Sequence, residues 1–145
     1  MIRLINENDI EQVVLLLKQL DASNDVKDFH LLKEKINSIQ RKEHIKIVGF
    51  ELDSKIIGMY TISIIDGITH AFKSFAIIEN VVVDVHYRNR ELGKQLMAHA
   101  IETAQKENCY KVILETGTKQ EWKIKFYEKC GFSYGEKTAF IKKFN

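Results

Sequence analysis

The stretch that most restricts the fold lies in the middle of the chain. Residues 75–85 read Phe-Ala-Ile-Ile-Glu-Asn-Val-Val-Val-Asp-Val, a β-branched run that predicts a central strand buried on both faces. Leu92, Leu96, Ala100, Ile101 and Ala104 then recur at helical spacing towards Asn108, and residues 111–115, Lys-Val-Ile-Leu-Glu, return to strand character. Strand, helix and strand in that order form a βαβ crossover, so these two strands are expected to run parallel.

The flanking segments add antiparallel strands and further helices. Residues 2–5 read as a short strand, and Asn6 or Asn8 is placed to cap a helix over residues 8–20, marked by Ile10, Val13, Val14, Leu17 and Leu20. Phe29, Leu32, Ile36 and Ile39 predict a second amphipathic helix with a basic outer face, read as solvated surface. From Ile45 the period falls to two, and the Asp53-Ser54 turn separates the strands of a hairpin. A helix over residues 121–129 is stopped by Gly131 at C′, and residues 132–134 and 139–141 suggest a final hairpin. No proline, repeat or linker divides the chain, so one domain over residues 1–145 is expected. The sum is an α/β fold of the α+β type, with a mixed, mainly antiparallel central sheet and helices on both faces.

Composition narrows the classes of function. The 145 residues are 45% hydrophobic and 29% charged, enough for a core that needs no metal or disulfide. With 22 basic and 20 acidic residues the net charge is only +2, so no nucleic-acid partner is expected. No apolar run is long enough for a membrane span and no leader is evident, which predicts a cytoplasmic protein with no membrane partner. Cys109 and Cys130 lack a CxxC partner and read as reduced thiols. The five histidines show no ligand spacing, so no metal is expected, and no Gly-x-Ser-x-Gly supports a serine nucleophile.

Chemistry concentrates where the central strand meets the long helix. Residues 83–96 join a strand's carboxyl end to a helix start, where free backbone N–H groups and the positive end of the helix dipole converge on an anion. Arg88, Arg90 and Lys94 add full charges there.

Arg88-Asn89-Arg90-Glu91-Leu92-Gly93 resembles the acyl-CoA-binding signature of the Gcn5-related N-acetyltransferase family, Arg/Gln-x-x-Gly-x-Gly/Ala after a Val-rich strand. Further on, Phe126-Tyr127-Glu128-Lys129-Cys130-Gly131-Phe132 resembles that family's Phe-Tyr-x-x-x-Gly-Phe. The two motifs cover the C-terminal half, and the order of elements before them also matches. The resemblance implies an acyl-CoA N-acyltransferase-like fold whose parallel strands splay apart to admit pantetheine, and acetyl-CoA as cosubstrate. It places Arg88, Asn89, Arg90, Glu91, Leu92, Gly93 and Lys94 against the coenzyme's phosphates. Glu91 stands where the family has its first glycine, which is expected to weaken coenzyme binding without abolishing it.

Acetyl transfer to an amine has its own demands. An ammonium of pKa about 10.4 must lose a proton, at a cost of about 4 kcal/mol at neutral pH. Glu79 shares strand parity with Ile77 and Val81, an ionisable group on an apolar row, and the resemblance gives it the general base's role. A backbone N–H of Val81, Val82 or Val83, freed by a bulge in the central strand, is implied as the oxyanion donor, Tyr127 as the acid that protonates the departing thiolate, and Gln120 as a coenzyme contact in place of an asparagine. The acceptor is expected to be the primary amine of a small molecule, a protein amine being the other choice, and to lie against the first two helices and residues 66–73. A homodimer is a further implication. A non-catalytic acyl-CoA-binding or regulatory module is the alternative that Glu91 keeps open.

Overall fold

The computed structural model describes residues 1–117 and 119–144. The chain divides into two compact units, Met1–Glu115 and Thr116–Asn145.

The first unit runs β1 (Ile2–Leu4), a 3-10 turn (Glu7–Asp9), α1 (Ile10–Leu20), α2 (Phe29–Gln40), β2 (Ile45–Leu52), β3 (Lys55–Ile65), β4 (Ser74–Val83), a 3-10 turn (Val85–Tyr87), α3 (Leu92–Lys106) and β5 (Cys109–Leu114). The five strands form one sheet in chain order, antiparallel from β1 to β4 and parallel between β4 and β5. Local chemistry sets the helix starts. Asn6 accepts from the Asn8 N–H at 2.9 Å, Asp9 accepts from the Asn6 N–H at 2.8 Å, and Asp28 accepts from the Leu31 N–H at 2.9 Å. The buried Asp9 also takes both guanidinium arms of Arg3, at 2.8 and 2.9 Å, which ties β1 to the entry of α1.

The helices divide between the two faces of the sheet. Ile10, Val13 and Leu16 of α1 and Ile36 of α2 share a buried cluster with Ile47, Met59 and Val82. Each such burial contributes roughly 2 kcal/mol. On the other face α3 buries Leu96, Met97 and Ala100, and His99 bonds Tyr60 at 2.8 Å. A Cβ at Gly58 would come within 3.0 Å of the Leu96 side chain, so glycine there permits the close approach of helix and sheet.

β4 departs from expectation in two ways that matter for function. Thr61 pairs with Glu79 and Met59 with Val82, so Asn80 and Val81 together stand opposite Tyr60 in a bulge, with Asn80 at φ +54°. The extra residue reverses the side-chain alternation. Val82, and not Val81, therefore shares the face of Ile77 and Glu79, which corrects the simple parity read from sequence. Nor is the strand buried throughout: Ala76 and Ile78 are buried, but Glu79 and Asn80 are exposed. The reason lies in the neighbour. Among the described residues β5 pairs with β4 from Ser74 to Ile78, its partner at the end being Leu114, and residues 79–83 have a strand on the β3 side alone.

The second unit contains α4 (Glu121–Lys129). Its end is a Schellman motif with Gly131 at φ +96°: the Phe132 N–H reaches the Tyr127 carbonyl at 3.1 Å and the Gly131 N–H the Glu128 carbonyl at 2.9 Å. The expected final hairpin does not form, and residues 132–144 contain no strand. Two three-residue strands offer too few ladder bonds to offset the ordering of the chain. Phe140 and Phe144 remain 94% and 88% exposed.

Candidate active site

The end of β4 delivers the chain into a short, strongly bonded turn. Asp84 donates its N–H to the Ile57 carbonyl at 2.8 Å, and its carboxylate accepts from the His86 N–H at 2.9 Å. Its carbonyl takes the Tyr87 N–H at 2.9 Å, closing the 3-10 turn. Gln19 of α1 reaches over to the same place, accepting from the Val85 N–H at 2.9 Å. Arg88 then turns its Nε back to the Val83 carbonyl at 3.1 Å.

Residues 88–94 follow as an exposed basic loop and helix start. Asn89 at φ +63° and Glu91 at φ +62° are both left-handed, a conformation asparagine tolerates well and glutamate poorly. Glu91 is the N-cap of α3 and lays no side-chain oxygen on the first-turn N–H groups. Its carboxylate, 74% exposed, points instead to Lys94 at 3.5 Å. The helix start therefore keeps its donors and its positive dipole end for an external anion. The Arg90 guanidinium lies 5.3 Å from the Tyr87 ring centre, and Leu92 and Gly93 are half-buried in the first turn of α3. Arg88 and Arg90 immediately precede this helix terminus and Lys94 lies in its first turn, a local density of cations that suits a phosphate group.

Beside this terminus lies the parting of β4 from β5. Glu79 is the first residue beyond the last β5-paired position, its carboxylate exposed at the point where the strands separate. Val81, Val82 and Val83 follow along the edge that β5 does not cover. An edge of this kind presents backbone donors and acceptors to a guest with amide groups, and a bulge frees a donor for a developing oxyanion.

The second unit carries the remaining two expected residues. Tyr127 is half-buried between the rings of Phe126 and Phe132, centres 5.0 and 6.1 Å away, and burial, helped by the charge of Cys130, raises its hydroxyl's pKa. Gln120 is the exposed N-cap of α4, its carbonyl accepting from the Lys123 N–H at 3.1 Å. Among the described residues no cluster of His, Cys, Asp or Glu is arranged for a metal ion, and no helix is long and apolar enough to cross a membrane.

Sequence reasoning passed over Asp84, Asn80 and Gln19. The first two leave faint local signals, an Asx turn and an asparagine within a valine run. Gln19 leaves none, because its partners lie 65 and 66 positions away.

Comparison with known proteins assigns the family. The sequence model of the Acetyltransferase (GNAT) family matches residues 14–132, so the chain belongs to that family of acetyltransferases and is an enzyme of acetyl transfer to amines. It is 30% identical over 138 residues to a glucosamine 6-phosphate N-acetyltransferase of Trypanosoma brucei brucei, covering 94% of this chain and 90% of that one. It is 33% identical over 120 residues to the enzyme of the same name from Arabidopsis thaliana, covering 81% and 78%. In structure it superposes with a TM-score of 0.92 on a putative acetyltransferase from Agrobacterium tumefaciens str. C58, at 29% identity and 99% coverage of both chains.

Proposed function

We propose that this enzyme moves the acetyl group of acetyl-CoA to the amine of an amino sugar phosphate, with glucosamine 6-phosphate the first candidate. The observation that carries the reading is the parting of β4 from β5 on the strand that leads into an uncapped helix start flanked in sequence by Arg88, Arg90 and Lys94. The choice of acceptor is supported by two relatives of that name, one similar over nearly the whole chain.

Acetyl-CoA supplies the acetyl group as an activated thioester. The N–H groups of Leu92, Gly93 and Lys94, with the cations of Arg88, Arg90 and Lys94, hold the coenzyme's phosphates, while the left-handed residues Asn89 and Glu91 shape the loop. Val81, Val82 and Val83 offer backbone groups to the pantetheine arm and one N–H to the carbonyl oxygen as negative charge develops there. Gln120 adds a side-chain hydrogen bond. Glu79 takes the proton from the acceptor ammonium, directly or through one water, and the freed lone pair attacks the thioester carbon. As the C–S bond breaks, Tyr127 gives its proton to the sulfur and the phenolate recovers the second proton that the acylated nitrogen must lose, directly or through water; its raised pKa keeps the phenol protonated until then. The acceptor lies against α1, α2 and residues 66–73.

The test is thiol release from acetyl-CoA with glucosamine 6-phosphate, glucosamine, polyamines, amino acids and peptides compared by kcat/KM. Glucosamine 6-phosphate is expected to lead glucosamine by at least about tenfold, since lost charge-assisted bonds to one phosphate cost at least that much. Equal rates on both sugars overturn the acceptor. No shift in Tm at millimolar acetyl-CoA overturns the coenzyme site.

A further inference from the structure

Gln19 occupies the last turn of α1, far in sequence from the loop it touches. Its side-chain amide makes two unlike bonds to adjacent residues. Oε1 accepts from the Val85 N–H at 2.9 Å, and Nε2 donates to Asp84 Oδ2 at 3.3 Å. The other Asp84 oxygen is already held by the His86 N–H, and the Asp84 N–H by the Ile57 carbonyl. Together these bonds fasten residues 84–86 to β3 on one side and to α1 on the other. They set the direction in which the chain leaves β4 and enters residues 88–94.

Only a group with a donor and an acceptor on one plane meets both demands. A glutamate keeps the bond to the Val85 N–H but turns a second carboxylate onto Asp84. A leucine makes neither bond, and an asparagine is one methylene short. Glutamine here is chosen by its partners, not by helix propensity.

We propose that Gln19 is a positioning residue for the coenzyme loop, holding residues 84–88 so that Arg88, Arg90 and the first-turn N–H groups of α3 converge on one anion. It acts through Asp84 and Val85 and contacts neither substrate. The inference rests on the reading of residues 88–94 as the phosphate-binding loop.

The polarity of the pair makes the test specific. In Q19E, carboxylate faces carboxylate; in D84N, two amide donors face each other. In Q19E/D84N the bond is restored in reverse. The carboxylate now on α1 accepts from both the facing side-chain amide and the Val85 N–H, while that amide's own carbonyl oxygen keeps the His86 N–H. Each single variant is expected to raise the KM and Kd of acetyl-CoA roughly tenfold, with kcat at saturating acetyl-CoA within about twofold of wild type. The double variant is expected to return to within about threefold of wild type, far from the product of the single effects. Q19L, which removes both bonds without adding charge, replaces Q19E if that variant does not fold, with the same rise in KM.

Loss of packing alone would lower Tm and the active fraction, and hence kcat, while leaving KM where it was. Unchanged KM in the single variants, or single effects that multiply in the double, overturns the role of Gln19. If wild type itself fails to bind acetyl-CoA, the loop reading falls and takes this inference with it. If wild type binds and the variants bind equally well, the inference falls alone.

Discussion

Position 91 sets the clearest conflict between a residue and its backbone. A glutamate at φ +62° carries strain that a glycine does not, and its ion pair with Lys94 is too exposed to offset it. Glu91→Gly is expected to raise stability by about 1 kcal/mol, or about 3 °C in Tm. The same change is expected to lower the Kd of acetyl-CoA, measured by calorimetry. A fall in Tm together with weaker binding would mean that the carboxylate contributes to the loop. The two proposed proton carriers separate by kinetics. Glu79→Gln is expected to reduce kcat about 100-fold with little change in the KM of acetyl-CoA. Tyr127→Phe is expected to cost only roughly tenfold in kcat, because a thiolate leaves readily even without a proton. Motif residues were readable at this scale because their spacing is local. Gln19 was not, since a bond between the end of one helix and the end of a distant strand depends on how the sheet brings them together.

Among the elements, α3 holds the group whose protonation most concerns the core. His99 shares a hydrogen bond with the buried Tyr60, and burial lowers its pKa, with Glu102 opposing that shift and Lys106 adding to it. The unfolded chain therefore takes up a proton near the ordinary histidine value of about 6.5, before the folded chain does. Stability is expected to rise with pH through this range and to fall as pH drops from about 7 to about 5. His99→Asn removes that titration, so its Tm should change less than wild type's over the same interval; parallel curves would contradict the assignment. Periodicity placed α1, α2 and α3 well because each buries the apolar side of an amphipathic repeat, and the β2–β3 hairpin because its two strands flank a clear turn; α4 was placed by its Gly131 stop, although it buries no residue. Periodicity failed for residues 132–141, where a few apolar side chains in a row resemble a strand but find no sheet to join. Nor does periodicity reveal the bulge in β4, which only the family resemblance implied, since one extra residue is visible only once β3 is laid beside it.

At the scale of the whole molecule, the ordered core belongs to the first unit, and the large apolar side chains at 140 and 144 stay in water. Replacing Phe140 and Phe144 together by serine is expected to leave Tm within about 2 °C in dilute solution; a loss beyond about 5 °C would show that both rings pack when folded. The unequal pairing of β4 has a further outcome for how the protein exchanges its amide protons with solvent. Up to Ile78 both borders of the strand are locked in the sheet, and exchange there should require global opening. From Glu79 to Val83 the N–H groups directed away from β3 should swap for deuterium orders of magnitude sooner, giving one strand a slow half and a half that alternates fast and slow.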